Sequence, residues 1–481
     1  MNNSRYFELP GSNKRYDRNI MLAVVLVALA MALLQVSSVN NTLPVIQDSI
    51  GASSSASQWV LSGYALATGI MLVPAGRIGD IFGQSVCFVA GLSVFALSSI
   101  GCGLVSDAMA LNVMRVFQGL GAGIFSPQVT GLIQNHFQAR VRARAFGFLG
   151  LVIAMSVATG PVLSGSFVSW LGPDLGWRWS FLINGPLGVV GVIAAARYLP
   201  FASRRDTRSR VDLDPLGMIL LCLAVVAIML PFMTQVSWRW LLLLAGVVLV
   251  AAWVAWELLY KKRGHLPMVD LDLFTLPSLS YSTAISAFQF LGTTSIFVIL
   301  AMCLQSGLDV SALTVGLIGL PNALLSGWSA VWAGNHAYER GKQIMVWSMG
   351  LVAVSLALTI ATAWFVFRGA PVALLTLPLM PAGLGLGAMG AANLTQAMFD
   401  VPPSQGGTAG GLLQTVQRVC TAIGIAVVTG IFFTVLGGNR TTHAWFSAFA
   451  AGTTVIIVFV LLAMVTAIAF LRCRPKTPAT A

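Results

Sequence analysis

Charge is scarce in this 481-residue chain: Asp, Glu, Lys and Arg together make up 9% of it. An ordinary soluble domain carries about 25%. With 57% apolar residues besides, a soluble globular fold would leave too much hydrocarbon facing water, and that class is excluded. The alternating segments of about 10 residues that mark a membrane barrel are also missing. Metal-binding patterns are absent as well. The six cysteines form no C-x-x-C pair and five lie in apolar runs, where they read as small apolar helix residues. His136, His265, His336 and His443 are scattered, so no metal site or proton relay is expected from them. No phosphate-binding loop and no nucleophile–base pair occurs, so neither an enzyme nor a cofactor is expected.

What the chain has is length and long apolar runs. Fourteen of them read as transmembrane helices, at about 20–45, 58–75, 86–105, 108–133, 145–170, 179–199, 214–235, 240–260, 279–304, 311–333, 344–367, 371–398, 411–436 and 448–471. With the N-terminus placed in the cytoplasm, 21 of the 27 Lys and Arg fall on inner segments. Four, Arg178, Arg239, Arg368 and Arg440, fall outside. That bias predicts both termini inside. It also explains the net charge of +12 as topology, so a nucleic-acid partner is set aside.

The expected class is therefore an all-α polytopic membrane protein. Its parts are a cytoplasmic N-terminal segment (1–19), a six-helix bundle (20–199), a linker (200–213) with Arg204, Arg205, Arg208 and Arg210, and two inserted helices (214–260). A second linker (261–278), a second six-helix bundle (279–471) and a tail (472–481) follow. A duplicated bundle is a transporter-like layout, with a mid-membrane site between the halves.

Four motifs carry a resemblance. Gly76-Arg77-Ile78-Gly79-Asp80-Ile81-Phe82-Gly83-Gln84-Ser85 follows the second run, and Arg115-Val116-Phe117-Gln118-Gly119 lies in the fourth. Gly160-Pro161-Val162-Leu163-Ser164-Gly165 lies in the fifth, and Trp177-Arg178-Trp179-Ser180-Phe181-Leu182-Ile183-Asn184-Gly185-Pro186-Leu187-Gly188 opens the sixth. Together they resemble the major facilitator superfamily, in its fourteen-span drug:proton antiporter branch. The resemblance runs the length of the chain, through Pro267–Phe274 and Gly406–Gly411. It implies a monomeric, multi-pass plasma (inner) membrane protein surrounded by lipid. Its expected activity is export of small lipophilic or amphipathic compounds by alternating access, with protons as coupling ion. Two rivals stay open: an importer or uniporter of an anionic or neutral metabolite, and a non-transporting binding protein of the same fold.

The resemblance further implies a conformational gate built from Gly76, Arg77, Asp80, Gly83, Gly160, Pro161 and Gly165. Asp80 could pair with Arg77, Arg142 or Arg144. Gln35 stands where the family has an intramembrane aspartate, and glutamine cannot titrate. All 15 acidic residues fall in loops or near span ends by this assignment. Since a charge at the bilayer centre costs about 3 kcal/mol or more, the two interior arginines stand out. Arg115 either faces a cavity beside Gln118 or is a packed cation held by helix carbonyls. Arg418 either contacts substrate on one face with Gln414 and Gln417 or reaches back toward the surface. Gln35, Asn40, Asn41, Gln289, Asn322, Asn393 and Gln396 complete the candidate cavity set, although amides also serve simply to join helices.

Overall fold

A computed structural model describes residues 5–8, 14–201, 212–233 and 238–473. The linker arginines Arg204, Arg205, Arg208 and Arg210 and tail residues 474–481 lie outside them. The helices are α1 (Arg18–Ser49), α2 (Ser54–Phe82), α3 (Gln84–Leu104), α4 (Ala108–His136), α5 (Ala139–Leu182), α6 (Asn184–Tyr198), α7 (Pro215–Met233) and α8 (Arg239–Lys262). After them come α9 (Pro277–Gly292), α10 (Ser295–Met302), α11 (Ala312–Val366), α12 (Thr376–Ala397), α13 (Gly406–Leu436) and α14 (Thr442–Arg472).

Among the described residues, twelve helical stretches are long and apolar enough to cross a membrane. Two are far longer than one crossing, 139–198 with 60 residues and 313–366 with 54. At 1.5 Å per residue each greatly exceeds a hydrocarbon core of about 30 Å. Both are broken. Gly172 has φ +79° just before Pro173, and Arg340 leaves helical geometry at φ −118°, ψ 17°. Helix starts follow ordinary capping chemistry. The side chains of Asp17, Ser53, Asp107, Ser311 and Thr441 accept amide hydrogens at the starts of α1, α2, α4, α11 and α14.

The polar N-terminal segment contains an element that its composition did not signal. Strands β1 (Tyr6–Glu8) and β2 (Arg15–Asp17) pair antiparallel, with Phe7 opposite Tyr16. Arg5–Asp17 and Arg15–Glu8 ion pairs flank them, each at 2.7 Å. Phe7 stacks on His136 at the end of α4.

The chain forms two compact units. The first holds residues up to Ala145, Val152–Leu271 and Pro402–Val419. In it α3 and α4 cross at glycines: a Cβ on Gly121 would lie 2.5 Å from the Phe95 amide, and one on Gly91 would lie 2.7 Å from the Phe125 amide. Phe88 and Phe95 meet Phe125 edge-to-face beside the crossing. Helix α7 packs on α2 and α8. The second unit holds Phe146–Leu151, Asp272–Val401 and residues from Cys420 onward. Its core gathers Ile285, Met345, Met349, Phe432, Phe449 and Ile456.

The segments before α7 and after α8 are tied by Asp212. Burial pushes its carboxyl up. Against that, the Tyr260 hydroxyl (2.6 Å), the Leu266 and Asp214 amides and the His265 ring hold it below the ordinary carboxylate value.

Two outcomes are expected. Gly121→Leu should destabilise the detergent-solubilised protein by about 1–3 kcal/mol in thermal unfolding, because a backbone amide cannot yield. Gly430→Leu, at a position open to 4 Å, should not. Because the folded value of Asp212 is lowered, its stabilisation is present at neutral pH and lost as pH falls below about 4. The melting difference between wild type and Asp212→Asn should shrink steadily as pH falls below about 4; a difference that stays constant down to acid unfolding would refute the assignment.

Candidate functional site

The gate signature forms the last turns of α2. Its glycines sit where the backbone meets neighbours. A Cβ on Gly76 would lie 2.4 Å from the Gly407 carbonyl oxygen, and one on Gly79 would lie 2.0 Å from Gln128 Oε1. This approach brings Asp80 to the start of α13. Asp80 Oδ1 accepts from the Gly407 amide (3.0 Å) and from Gln84 Nε2 (3.0 Å). Oδ2 accepts from the Thr408 amide and the Thr408 hydroxyl, both at 2.8 Å. The carboxylate therefore caps α13 from another helix, against the positive end of its dipole. Gln84 in turn accepts from Asn135 Nδ2 at 2.9 Å. Arg77, one of the arginines expected near Asp80, donates to the Asp212 carbonyl at 3.3 Å and lies within electrostatic reach of Asp80. Gly83 ends α2 at φ +109°, a left-handed conformation that suits glycine. Beside the cap lies an open cleft of about 400 Å³, lined by Asp80, Gln84, Asn135, His136 and Ser404 among others.

Arg115 is 1% exposed. Its Nε donates to the Val60 carbonyl (2.8 Å) and Nη1 to Gln118 Oε1 (2.6 Å). The guanidinium lies over the Tyr64 ring at 4.3 Å and faces the Phe181 ring at 5.8 Å. Gln118 Nε2 then donates to Ser99 Oγ at 2.6 Å. Of the two arrangements the sequence leaves open, this geometry is the packed cation. Tyr64, itself buried, thus shares its ring face with Arg115.

In the Trp177–Gly188 run, Trp177, Arg178 and Asn184 join neighbouring helices. Trp177 is fully buried and donates to Ser49 Oγ. Arg178 binds the Gly103 and Val105 carbonyls at the end of α3. Asn184 donates to Gln35 Oε1, while Gln35 Nε2, also buried, has no hydrogen-bond partner.

Around Pro161, α1 is stitched to α5. Proline lacks an N–H, so the Val157 carbonyl loses its helical donor. Ser37 Oγ supplies one at 2.8 Å, and Ser38 Oγ donates to the Gly160 carbonyl at 3.0 Å. A Cβ on Gly160 would lie 2.5 Å from that of Ser37, whereas Gly165 has only Asn41 Nδ2 within 4.0 Å. Asn41 reaches Ser164 Oγ at 3.3 Å, and Asn40 is exposed.

The remaining amides act between helices. Asn322 donates to the Leu379 carbonyl (2.7 Å), Asn393 to Ser286 Oγ (2.7 Å) and Gln396 to the Ala337 carbonyl (3.0 Å). Gln289 is buried. In the first unit, Gln414 accepts from Ser126 Oγ at 2.7 Å. Gln417 and Arg418 are half-buried. Ser37, Ser126 and Ser286 were not anticipated from sequence; only the i−4 relation of Val157 to Pro161 gives a signal, and it points to a missing donor without naming Ser37.

Residues 25–229 match a family described as the Major Facilitator Superfamily. The chain is 31% identical over 441 residues to the probable actinorhodin transporter of Streptomyces coelicolor, covering 87% of this chain and 73% of that protein. It is 27% identical over 446 residues to the tetracenomycin C resistance and export protein of Streptomyces glaucescens, covering 89% and 77%. The solved structure of the human organic anion transporter MFSD10 superposes with a TM-score of 0.67 at 15% identity, covering 93% of this chain and 99% of that one.

Asp80→Asn should loosen the start of α13. The amide replaces one acceptor oxygen by a donor facing the Thr408 hydrogens. Hydrogen exchange across residues 402–412 should rise about tenfold or more, equivalent to roughly 1.4 kcal/mol. Unchanged exchange would show that the cap carries little energy.

Proposed function

The chain belongs to the major facilitator superfamily, and from that premise we propose that it exports small lipophilic or amphipathic compounds across the plasma membrane by alternating access. In this reading it works as a monomer with fourteen spans and both termini in the cytoplasm. The breaks at Gly172 and Arg340 support that count, since each divides a stretch too long for one crossing. The halves are 20–199 and 279–471, with 214–260 inserted.

The observation that carries the reading is the Asp80 cap on α13. It is a compact, charged contact at one end of two helices, and it can be made and broken without disturbing an apolar core. The relatives named for antibiotic transport and export match over most of the chain and support the direction. Protons drive the exchange through acids at helix ends, because Gln35 cannot titrate. Every described acidic residue except Glu8, in β1, lies at a helix end, at a break or within about two turns of one. A dication in the membrane interior would meet no counter-charge there, so neutral and anionic amphiphiles are the preferred cargo.

Reconstituted protein should move such compounds uphill when a pH gradient is imposed, with dicationic dyes moved at least about tenfold more slowly. Exchange that ignores the gradient would replace antiport by the importer or uniporter reading. Preference for dications would overturn the substrate class.

A further inference from the structure

Away from the Asp80 cap, α7 and α8 bring two carboxyl groups together in a dry place. Asp214, just before α7, is fully buried and Glu257, in the penultimate turn of α8, is 1% exposed. A Cβ on Gly217 would lie 2.3 Å from Asp214 Oδ2 and 3.0 Å from Glu257 Oε1, so both oxygens converge on the space that this glycine leaves open. The two differ in their partners. Asp214 Oδ1 accepts from the Gly217 amide (3.0 Å) and Trp256 Nε1 (2.8 Å), and Oδ2 accepts from the Met268 amide (3.3 Å). Neither oxygen of Glu257 takes a hydrogen bond, although the Val269 backbone and Trp253 are its neighbours.

Three N–H donors stabilise Asp214 as an anion. Glu257 has the Val269 backbone and Trp253 nearby but no hydrogen bond of ordinary geometry to either oxygen, and a second buried negative charge beside the first is costly. A proton on Glu257, shared toward Asp214 Oδ2, removes that cost. The other ionisable groups facing the pair are Arg77 from α2, Asp212 from the preceding segment and Tyr260 from α8, and Asp80 acts on Arg77. His265 sits on Asp212, and Lys261 is paired with Asp270. Arg77 is the one among them that also belongs to the gate. It stands three residues before Asp80 on α2, within electrostatic reach of Asp80, Asp214 and Glu257, and its buried Nε has no hydrogen-bond partner.

We propose that Asp214 and Glu257 form a proton-binding site at the base of the inserted helices, and that release of its proton is felt at the Asp80 cap through Arg77. On release, the proton leaves Glu257 for bulk water and the pair carries two negative charges. Arg77 is then drawn toward the pair and away from Asp80, whose anion loses support and whose hold on α13 weakens. The coupling role rests on the transport reading; the proton site itself does not.

The test therefore uses readouts other than transport, on the full-length protein in lipid. Infrared difference spectra of wild type should show a protonated-carboxyl band that disappears as pH is raised. Glu257→Gln should abolish that band and Asp80→Asn should retain it. Exchange across residues 402–412, corrected for intrinsic chemistry, should accelerate about tenfold in wild type as the band is lost, and should not respond in Glu257→Gln. A wild type without a titrating band, a band that survives Glu257→Gln, or equal pH responses of the 402–412 segment in both proteins would each overturn the proposal. If no compound is transported under any condition, the functional reading fails while these spectra still decide the proton site.

Discussion

One carboxylate holds the start of α13. Asp80 reaches from α2 and accepts the second and third amides of α13 together with a hydroxyl and a side-chain amide. A helix that begins against other helices has orphan N–H groups that lipid cannot satisfy. Its first residues here are Gly406 and Gly407, so little local side chain is on hand to do so. The same glycines let the two backbones close. A Cβ on Gly411 would lie 2.3 Å from the Leu72 carbonyl oxygen, and one on Gly410 would lie 2.2 Å from Thr130 Oγ1. Close approach and capping are thus one device: small residues bring α13 to α2, and the carboxylate compensates the helix end that the approach buries.

The same constraint accounts for much of the polar inventory. Each proline inside a helix frees a carbonyl four residues back. Pro161 frees Val157, and Ser37 donates to it from α1. Pro74 frees Ile70, which receives Cys222 Sγ from α7 at 3.4 Å. Arg115 follows the same logic with a charge. It carries no carboxylate partner in its shell, but a carbonyl, an amide and an aromatic face share the cation. Buried polarity in these bundles serves the backbone and the joints between helices, which leaves few groups for a substrate.

That is also why the fold was easier to read than the site. Apolar runs and basic loops are additive signals, and their boundaries survive to within a few residues at α3 and α4. The breaks at Gly172 and Arg340 fall in the gaps between the spans expected at 145–170 and 179–199 and at 311–333 and 344–367. For the site, residue types were legible but partners were not. Asp80 meets Thr408 across 328 positions, and the Gly407 and Thr408 amides that it accepts from are backbone, which has no side-chain signature. Arg115 and Gln118 were correctly placed on one face, yet whether that face met a cavity or a neighbour depended on Tyr64, Phe181 and Ser99, from three other helices.

The inserted helices gain a mechanical meaning from where they touch. Helix α7 lies against α2, with Met229 close to Gly69 and Cys222 on the Ile70 carbonyl. Asp212, at its approach, holds Arg77 through a backbone carbonyl. Helix α2, which carries Asp80, is therefore braced along one side by α7. A brace of this kind transmits charge better than shape. The low dielectric around Arg77 weakens screening, so one added charge at Asp214 and Glu257 acts on the guanidinium over distances at which water would mute it. A chain with no titrating group at the Gln35 position can still sense protons, provided that the group lies where a helix end, a buried acid and the gate share a single arginine.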